Sequence, residues 1–405
     1  MYNGGNIIFQ EELDLNSFSY WSPTKVVFGA DTAGQAGVEV KAFGGSKALV
    51  IYGGGSVVNS GLLDKVTQSL EAEGISYLCV GGVQPNPLLE YAMQIIDDYS
   101  GKDIDFVLGV GGGSVIDTAK TVAVGLVSRD VPMWDYFCRK RLPDAGLPVG
   151  VILTIAAAGS ETSDSAVITN KAAGTKRGYN SPLNRPKFAI MDPVLTYSLP
   201  TYHVACGIVD MFMHAVDRYF APDTDNAVTD EISESLMRVV IKYGREAVKN
   251  PHDYKARSEI MWAGSLTHVG LTGLGQTMEF SVHQFGSPLS ARYDTAHGAS
   301  LAATWPAWAK YVYREDIPRF AKYARNVWGV ALDDDEAAAL AGIAATKEFF
   351  SSIGMPVTLT EAVGDHVKED IDVLTDICTY QNTRTIGAFK VLDTDAVRAI
   401  YQSAV

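Results

Sequence analysis

From residue 47 the chain alternates apolar runs, glycine turns and helical patterns. "KALVIYGGGS" is an apolar strand running into glycines, and "VVNSGLLDKVTQSLEAEG" predicts an amphipathic helix closed by Gly74. "ISYLCVGG" predicts the next strand, and "LLEYAMQIIDDYSG" the next helix. "DIDFVLGVGGGS" repeats the passage from strand to glycine, "VIDTAKTVAVGLV" continues it as a helix, and "VGVILTIAAAGSE" adds a strand and loop. Continuous apolar strands separated by helices predict a mostly parallel sheet in an α/β layer fold.

The texture changes around "AIMDPVLTYSLPT". Beyond it lie long helical patterns such as "DEISESLMRVVIKYGREAVKN" and "DEAAALAGIAATKEFFSSIG", and strand-like runs nearly vanish. The boundary is expected near Pro200, with an α/β dinucleotide-binding domain over 1–199 and an all-helical metal-binding domain over 200–405.

Composition narrows the function. A chain of 405 residues exceeds one ordinary core, and 47% hydrophobic with 20% charged residues is ordinary globular composition. A net charge of −14 without any basic run argues against nucleic acid or an anionic membrane as partner and favours small molecules. Four widely spaced cysteines form no CxxC pair, which fits a reducing compartment. The N-terminal "MYNGGNIIFQEELDLN" lacks the pattern of a signal peptide, and the best apolar run, "VGVILTIAAAG", is about half a membrane span. A cytoplasmic location is expected.

Two patterns carry chemistry. Gly111, Gly112, Gly113 and Ser114 stand between a strand and a helix, where backbone can approach a phosphate and the first helix amides can donate to it. A tight turn without a ligand is the competing explanation, and "GVGGGSVID" is not the GxGxxG fingerprint. Gly53, Gly54, Gly55 and Ser56 repeat the arrangement after an earlier strand, and two such turns suit a dinucleotide. The earlier turn offers no carboxylate for a ribose 2′-hydroxyl, which leans towards NADPH over NADH.

The second pattern joins Asp210 and His214, spaced i and i+4 on one helix face, to His283 and His297. Gly286 and Pro288 lie between the last two and predict a bend that returns the second histidine to the first. One carboxylate and three imidazoles with an open position make a site for Fe(II), Zn(II) or a similar ion. Each histidine alone reads more simply as a hydrogen-bonded helix residue.

The motifs "GVGGGSVIDTAK", "TIAAAGSE", "MDPVLTYSLP", "GIVDMFMHAVDRY" and "SVHQFGSPLSARYDTAHGASLA" occur in the order and spacing of the iron-containing alcohol dehydrogenases, which this chain resembles over practically its whole length. The resemblance implies a dehydroquinate synthase-like fold with metal and cofactor in a cleft, reversible reduction of an aldehyde to a primary alcohol, and at least a homodimer. It matches Asp210, His214, His283 and His297 to metal ligands and the two glycine–serine turns to the cofactor. It adds Asp117, Thr154 and Lys176 to the cofactor-lining positions. Within the family the chain looks most like NADPH-dependent butanol dehydrogenases and broad-range aldehyde reductases.

The chain also departs from that pattern. Val58 and Asn59 stand where NADP-binding relatives often carry lysines, Ser287 where they usually carry another active-site histidine, and Ala158 where a threonine is common. Three other readings share some of these features: a lyase of the dehydroquinate synthase type, a glycerol dehydrogenase-like polyol oxidoreductase, and a non-catalytic nucleotide-binding protein. No cluster of basic residues for an acidic substrate is visible around the metal motifs.

Overall fold

The computed structural model describes residues 17–222 and 226–405, so the N-terminal stretch read above for a leader lies outside them. Six strands form one parallel sheet: β1 (Lys25–Phe28), β2 (Lys47–Tyr52), β3 (Ser76–Val80), β4 (Phe106–Gly111), β5 (Val149–Leu153) and β8 (Phe188–Met191). Their order is β1-β8-β5-β4-β2-β3. A separate antiparallel hairpin, β6 (Ser165–Asn170) with β7 (Thr175–Asn180), was not legible in the sequence. Its second strand is polar, and the first holds only the three-residue apolar run Ala166-Val167-Ile168.

Side chains alternate across the sheet. Leu49, Ile51, Val107, Val151, Leu153, Ala189 and Met191 face one core, while Ala48, Val50, Phe106, Leu108, Ile152, Phe188 and Ile190 face a second. Helices α1 (Ala36–Ala42), α2 (Gly55–Asn59) and α3 (Leu62–Ala72) contribute to the second core. Helices α4 (Leu89–Tyr99), α5 (Gly113–Gly125) and α6 (Met133–Phe137) contribute to the first. The single helix predicted between the first glycine turn and Gly74 is instead α2 and α3, broken at Gly61, whose φ of 74° is left-handed.

Past Pro200 the described residues form ten α-helices and no further strand. They are α7 (Thr201–Tyr219), α8 (Ala227–Lys249), α9 (Tyr254–His268), α10 (Ser281–Tyr293), α11 (His297–Val312), α12 (Ile317–Trp328), α13 (Asp335–Ser352), α14 (Leu359–Val363), α15 (Ile371–Thr379) and α16 (Thr394–Ser403). Side-chain oxygens of Asn226, Asp253, Asp316, Asp334 and Asp393 cap the starts of α8, α9, α12, α13 and α16. Every residue of α7 from Val204 to Tyr219 is buried, which makes it the pillar of the helical part. The first core continues across Pro200 into this part without a gap and takes in Val209, Phe212, Trp305 and Tyr401. Among the described residues no helix is long and apolar enough to cross a membrane.

The bend predicted between His283 and His297 lies elsewhere. Pro288 sits inside α10, which runs on to Tyr293, and the chain reverses at Asp294, whose φ is 54°. Pro288 has no N–H for the carbonyl of Gln284, and the Cys378 thiol lies 3.6 Å from that oxygen and donates to it. Gly286 serves close packing: a Cβ there would stand 2.6 Å from Ser300 Oγ of α11.

Candidate metal centre and cofactor cleft

The sheet reverses its winding between β2 and β4, which are neighbours although β3 lies between them in sequence. Ligands of open α/β sheets bind outside the carboxyl ends of strands at such a switch point. Both glycine turns sit there, one after β2 and one between β4 and α5. A cavity of about 1400 Å³ opens over them and extends to the face of α7.

Asp210 and His214 project from α7 into this cavity, His283 comes from the first turn of α10, and His297 begins α11. Gly298 explains how α11 comes so near: a Cβ there would lie 2.0 Å from the Cys206 carbonyl oxygen on α7. Oδ1 of Asp210 is 3.7 Å from Nε2 of each of His214, His283 and His297. The donor atoms of Asp210, His283 and His297 all lie within 4.8 Å of one another. A separation of 3.7 Å is too long for a hydrogen bond and suits donors that share an ion about 2.0–2.2 Å from each. Asp210 Oδ1 and His283 Nε2 are buried without a hydrogen-bond partner, a costly arrangement that a cation would relieve.

The electrostatics agree with this. Burial, followed by the nearby His268, holds His214 well below its usual pKa, and burial takes His297 down to about 3. Both are therefore neutral imidazoles, the form that binds metal. Burial alone would raise Asp210, but the His297 and His283 imidazoles keep it below the usual carboxylate value. Burial would lower His283, but the Asp210 carboxylate facing Nε2 and the Asp217 carboxylate bonded to Nδ1 outweigh it and raise its pKa.

Sequence reading missed the residues that orient these ligands. Asp217 accepts from Nδ1 of His283 at 2.6 Å, which turns Nε2 towards Asp210. Arg218 donates to the carbonyls of His214 and Thr267 at 3.0 and 2.6 Å, and its Nη2 is 3.2 Å from Nδ1 of His268. Because arginine only donates, His268 accepts at Nδ1 and carries its proton on Nε2, which donates to Ser165 Oγ at 3.2 Å. His268 lies 4.1 Å from the His214 ring, centroid to centroid, and both its nitrogens are committed. It supports a ligand and is not one. The spacing Asp210, His214, Asp217 on one helix face held the signal for the first of these.

The cofactor positions divide. Gly54, Gly112, Gly113, Ser114, Asp117 and Lys176 line the cavity, whereas Gly53, Gly55, Ser56, Gly111 and Thr154 do not. Asp117 is tied down: its carboxylate accepts from Ser160 Oγ at 2.6 Å and from the Val167 amide at 3.2 Å. Lys176 donates to Asn86 Oδ1 at 3.0 Å, and Asn86 donates to Asp294 at 2.6 Å, linking β7 to the turn before His297. Lys120, overlooked in the sequence, is buried beneath the 160–165 loop and donates to the carbonyls of Ser160, Ser163 and Ser165. Burial drops its pKa to about 8. Ser287 lines the cavity, but its hydroxyl donates to the His283 carbonyl at 2.9 Å. The absence of a basic cluster needs correcting, because Arg139, Arg177 and Arg384 converge on the cavity from segments far apart in sequence.

A family profile described as iron-containing alcohol dehydrogenase matches residues 23–193, and that of the C-terminal part of the Fe-containing alcohol dehydrogenase family matches 204–405. The chain is 35% identical over 391 residues to NADH-dependent butanol dehydrogenase A of Clostridium acetobutylicum, covering 96% of this chain and 99% of that one. It is 32% identical over 393 residues to the NADPH-dependent aldehyde reductase of Escherichia coli, covering 96% and 100%. The crystal structure of NADH-dependent butanol dehydrogenase A from Thermotoga maritima superimposes with a TM-score of 0.93 at 35% identity, covering 96% of this chain and 99% of that chain.

Proposed function

The chain belongs to the iron-containing alcohol dehydrogenases and is an NAD(P)-dependent alcohol dehydrogenase or aldehyde reductase, and from that premise we propose how its residues divide the work. Asp210, His214, His283 and His297 would hold the ion, Fe(II) in preference to Zn(II). The observation that supports this set is the 3.7 Å spacing of Asp210 Oδ1 from three imidazole nitrogens. When bound, the ion supplies a Lewis acid for the carbonyl oxygen and the reduced nicotinamide supplies hydride for the carbonyl carbon.

The protein's part is positioning. Asp217 holds the His283 ring with its Nδ1 proton engaged. Gly112, Gly113 and Ser114 at the start of α5 give the pyrophosphate a bed of backbone amides. Lys120 and Asp117 fix the 160–165 loop, which lines the cavity through Ser160 and Ser165. The Ser287 proton is engaged by its own helix, which leaves water or a cofactor ribose hydroxyl as the source of the proton that completes the alcohol. NADPH is preferred over NADH, because the turn Gly53 to Ser56 has no carboxylate to bond a 2′-hydroxyl or repel a 2′-phosphate. By name the E. coli relative uses NADPH and the Clostridium relative NADH, so our reading rests on the turn.

The same reading takes 1–199 as the cofactor-binding part and 200–405 as the metal-binding part. It expects a cytoplasmic enzyme, in keeping with four unpaired cysteines; by family analogy the enzyme is at least a homodimer. Protein loaded with Fe(II) should consume NADPH in step with butanal. Absence of turnover with butanal and other short aldehydes, in protein shown to hold iron, would sink the proposal.

A further inference from the structure

Part of the cavity wall carries charge for which aldehyde reduction alone has no use. Arg139 follows α6, Arg177 lies on β7, Arg384 stands in the loop between α15 and α16, and all three line the cavity. The Arg177 guanidinium is 4.1 Å from the centroid of the Tyr380 ring, and that of Arg384 is 3.7 Å from the same centroid. Two cations thus share one aromatic ring. Arg384 also donates to the Cys378 carbonyl at 3.0 and 2.7 Å. Nε of Arg177 is buried without a partner, and Nε of Arg139 reaches the Gly178 carbonyl at 3.5 Å.

Among the described residues none of the three arginines forms an ion pair with a carboxylate. The chain has 47 acidic against 33 basic side chains, so three neighbouring arginines without counter-charges run against its composition. The backbone is arranged to present them. Tyr380, Gln381 and Asn382 have φ values of 51°, 58° and 60°, three left-handed non-glycine residues in succession. The cluster also stands close to the metal ligands: the Cys378 thiol donates to the carbonyl of Gln284, the residue after His283.

We propose that Arg177 and Arg384, with Arg139 beside them, form a subsite for a carboxylate, and that the substrates include short aldehydes with a carboxylate at the far end. The inference rests on aldehyde reduction at the metal centre described above. A guanidinium meets a carboxylate through a planar fork, and contact with the Tyr380 ring restrains two such forks in advance. The aldehyde end then points to the Asp210 centre while the charged end stays with the arginines. The subsite differs from the NADPH phosphate site in its elements, since Gly54 follows β2 whereas the arginines belong to β7 and to the loops after α6 and α15.

The test uses iron-loaded enzyme at saturating NADPH with 4-oxobutanoate and its methyl ester, two aldehydes of one length that differ by a charge. The wild type should favour the anion in kcat/KM by about tenfold, the size of one charge-assisted hydrogen bond. Raising the salt to about 0.5 M should narrow that preference. Arg177→Gln and Arg384→Gln should each bring the ratio of anion to ester towards one, and Arg384→Lys should restore only part of it. Equal kcat/KM for the two aldehydes in the wild type overturns the subsite. So does a ratio that persists in both variants, or variants whose main effect is a raised KM for NADPH. Failure to reduce butanal at all would instead count against the underlying enzyme assignment.

Discussion

The carboxylate of Asp217 lies 2.6 Å from Nδ1 of His283, two turns along α7 from Asp210. One helix therefore supplies a ligand and also the group that aims another ligand. Asp217→Asn keeps the shape and weakens the acceptor, and metal affinity should fall by about 10–100-fold. Competition with a chelator reads this directly, and an unchanged affinity would remove Asp217 from the centre.

His283→Ala and His297→Ala should each abolish turnover and leave an ion that dialysis removes, with circular dichroism unchanged. Three remaining donors hold the ion loosely. Full metal content and turnover in both variants would mean the ligands are elsewhere.

Arg319 closes the end of α7. Its Nε and Nη2 donate to the Tyr219 carbonyl at 3.0 and 2.5 Å, and its Nη2 lies 2.6 Å from Oδ1 of the buried Asp230. Arg319→Met should destabilise the fold by about 3–5 kcal/mol, because Asp230 is left buried with Lys322 as its remaining charged partner and a long hydrogen bond from Gln276. Burial alone would raise Asp230, but Arg319 and Lys322 hold it below its usual value. A lowered carboxylate contributes stability above the unfolded value of about 3.9 and loses it as pH falls through the folded value. The stability gap between wild type and Arg319→Met should therefore narrow below about pH 4 in denaturant titrations; a constant gap would contradict the pairing.

Gly54 lines the cavity, and a Cβ there would meet nothing within 4 Å. Gly54→Asp should thus be accommodated and shift preference from NADPH towards NADH by repelling a 2′-phosphate. The ratio of kcat/KM for the two cofactors measures it. A wild type that already prefers NADH would refute the argument from the neutral turn.

Gly298→Ala pushes a methyl group into the Cys206 carbonyl and must move the start of α11, where His297 stands. We expect a loss of about 1–3 kcal/mol from overpacking together with weaker metal retention. Calorimetry and metal analysis on one sample would show whether the two losses travel together.

What the sequence disclosed was local. Apolar runs ending in glycine gave the strands and both turns, and the i, i+4 spacing put Asp210 and His214 on one face. The misreadings came from residues whose role depends on a distant neighbour. Gly286 and Pro288 look like a bend until α11 packs against the first and Cys378 answers the carbonyl freed by the second. Lys120 meets Ser160 across 40 residues and Asp217 meets His283 across 66, so no window of local pattern contains either pair. The β6–β7 hairpin escaped because β7 is polar and β6 holds only three consecutive apolar residues, and Lys176 on β7 was reached only through family resemblance.

The core that runs without a gap from Leu49 and Val107 of the sheet to Phe212, Trp305 and Tyr401 of the helices bears on how such enzymes can be recombined. Pro200 is a tempting crossover point for joining the cofactor half of one relative to the metal half of another. The seam between the halves is close-packed interior, however, and relatives that are 35% identical differ at most positions along their length. A hybrid cut there inherits mismatched volumes on the two sides of the cleft. Shuffling therefore succeeds only when the residues that meet across the seam, such as Gly207 of α7 against the Ala156 carbonyl and Ser265 of α9 against Met191 of β8, are carried over with the half they were fitted to.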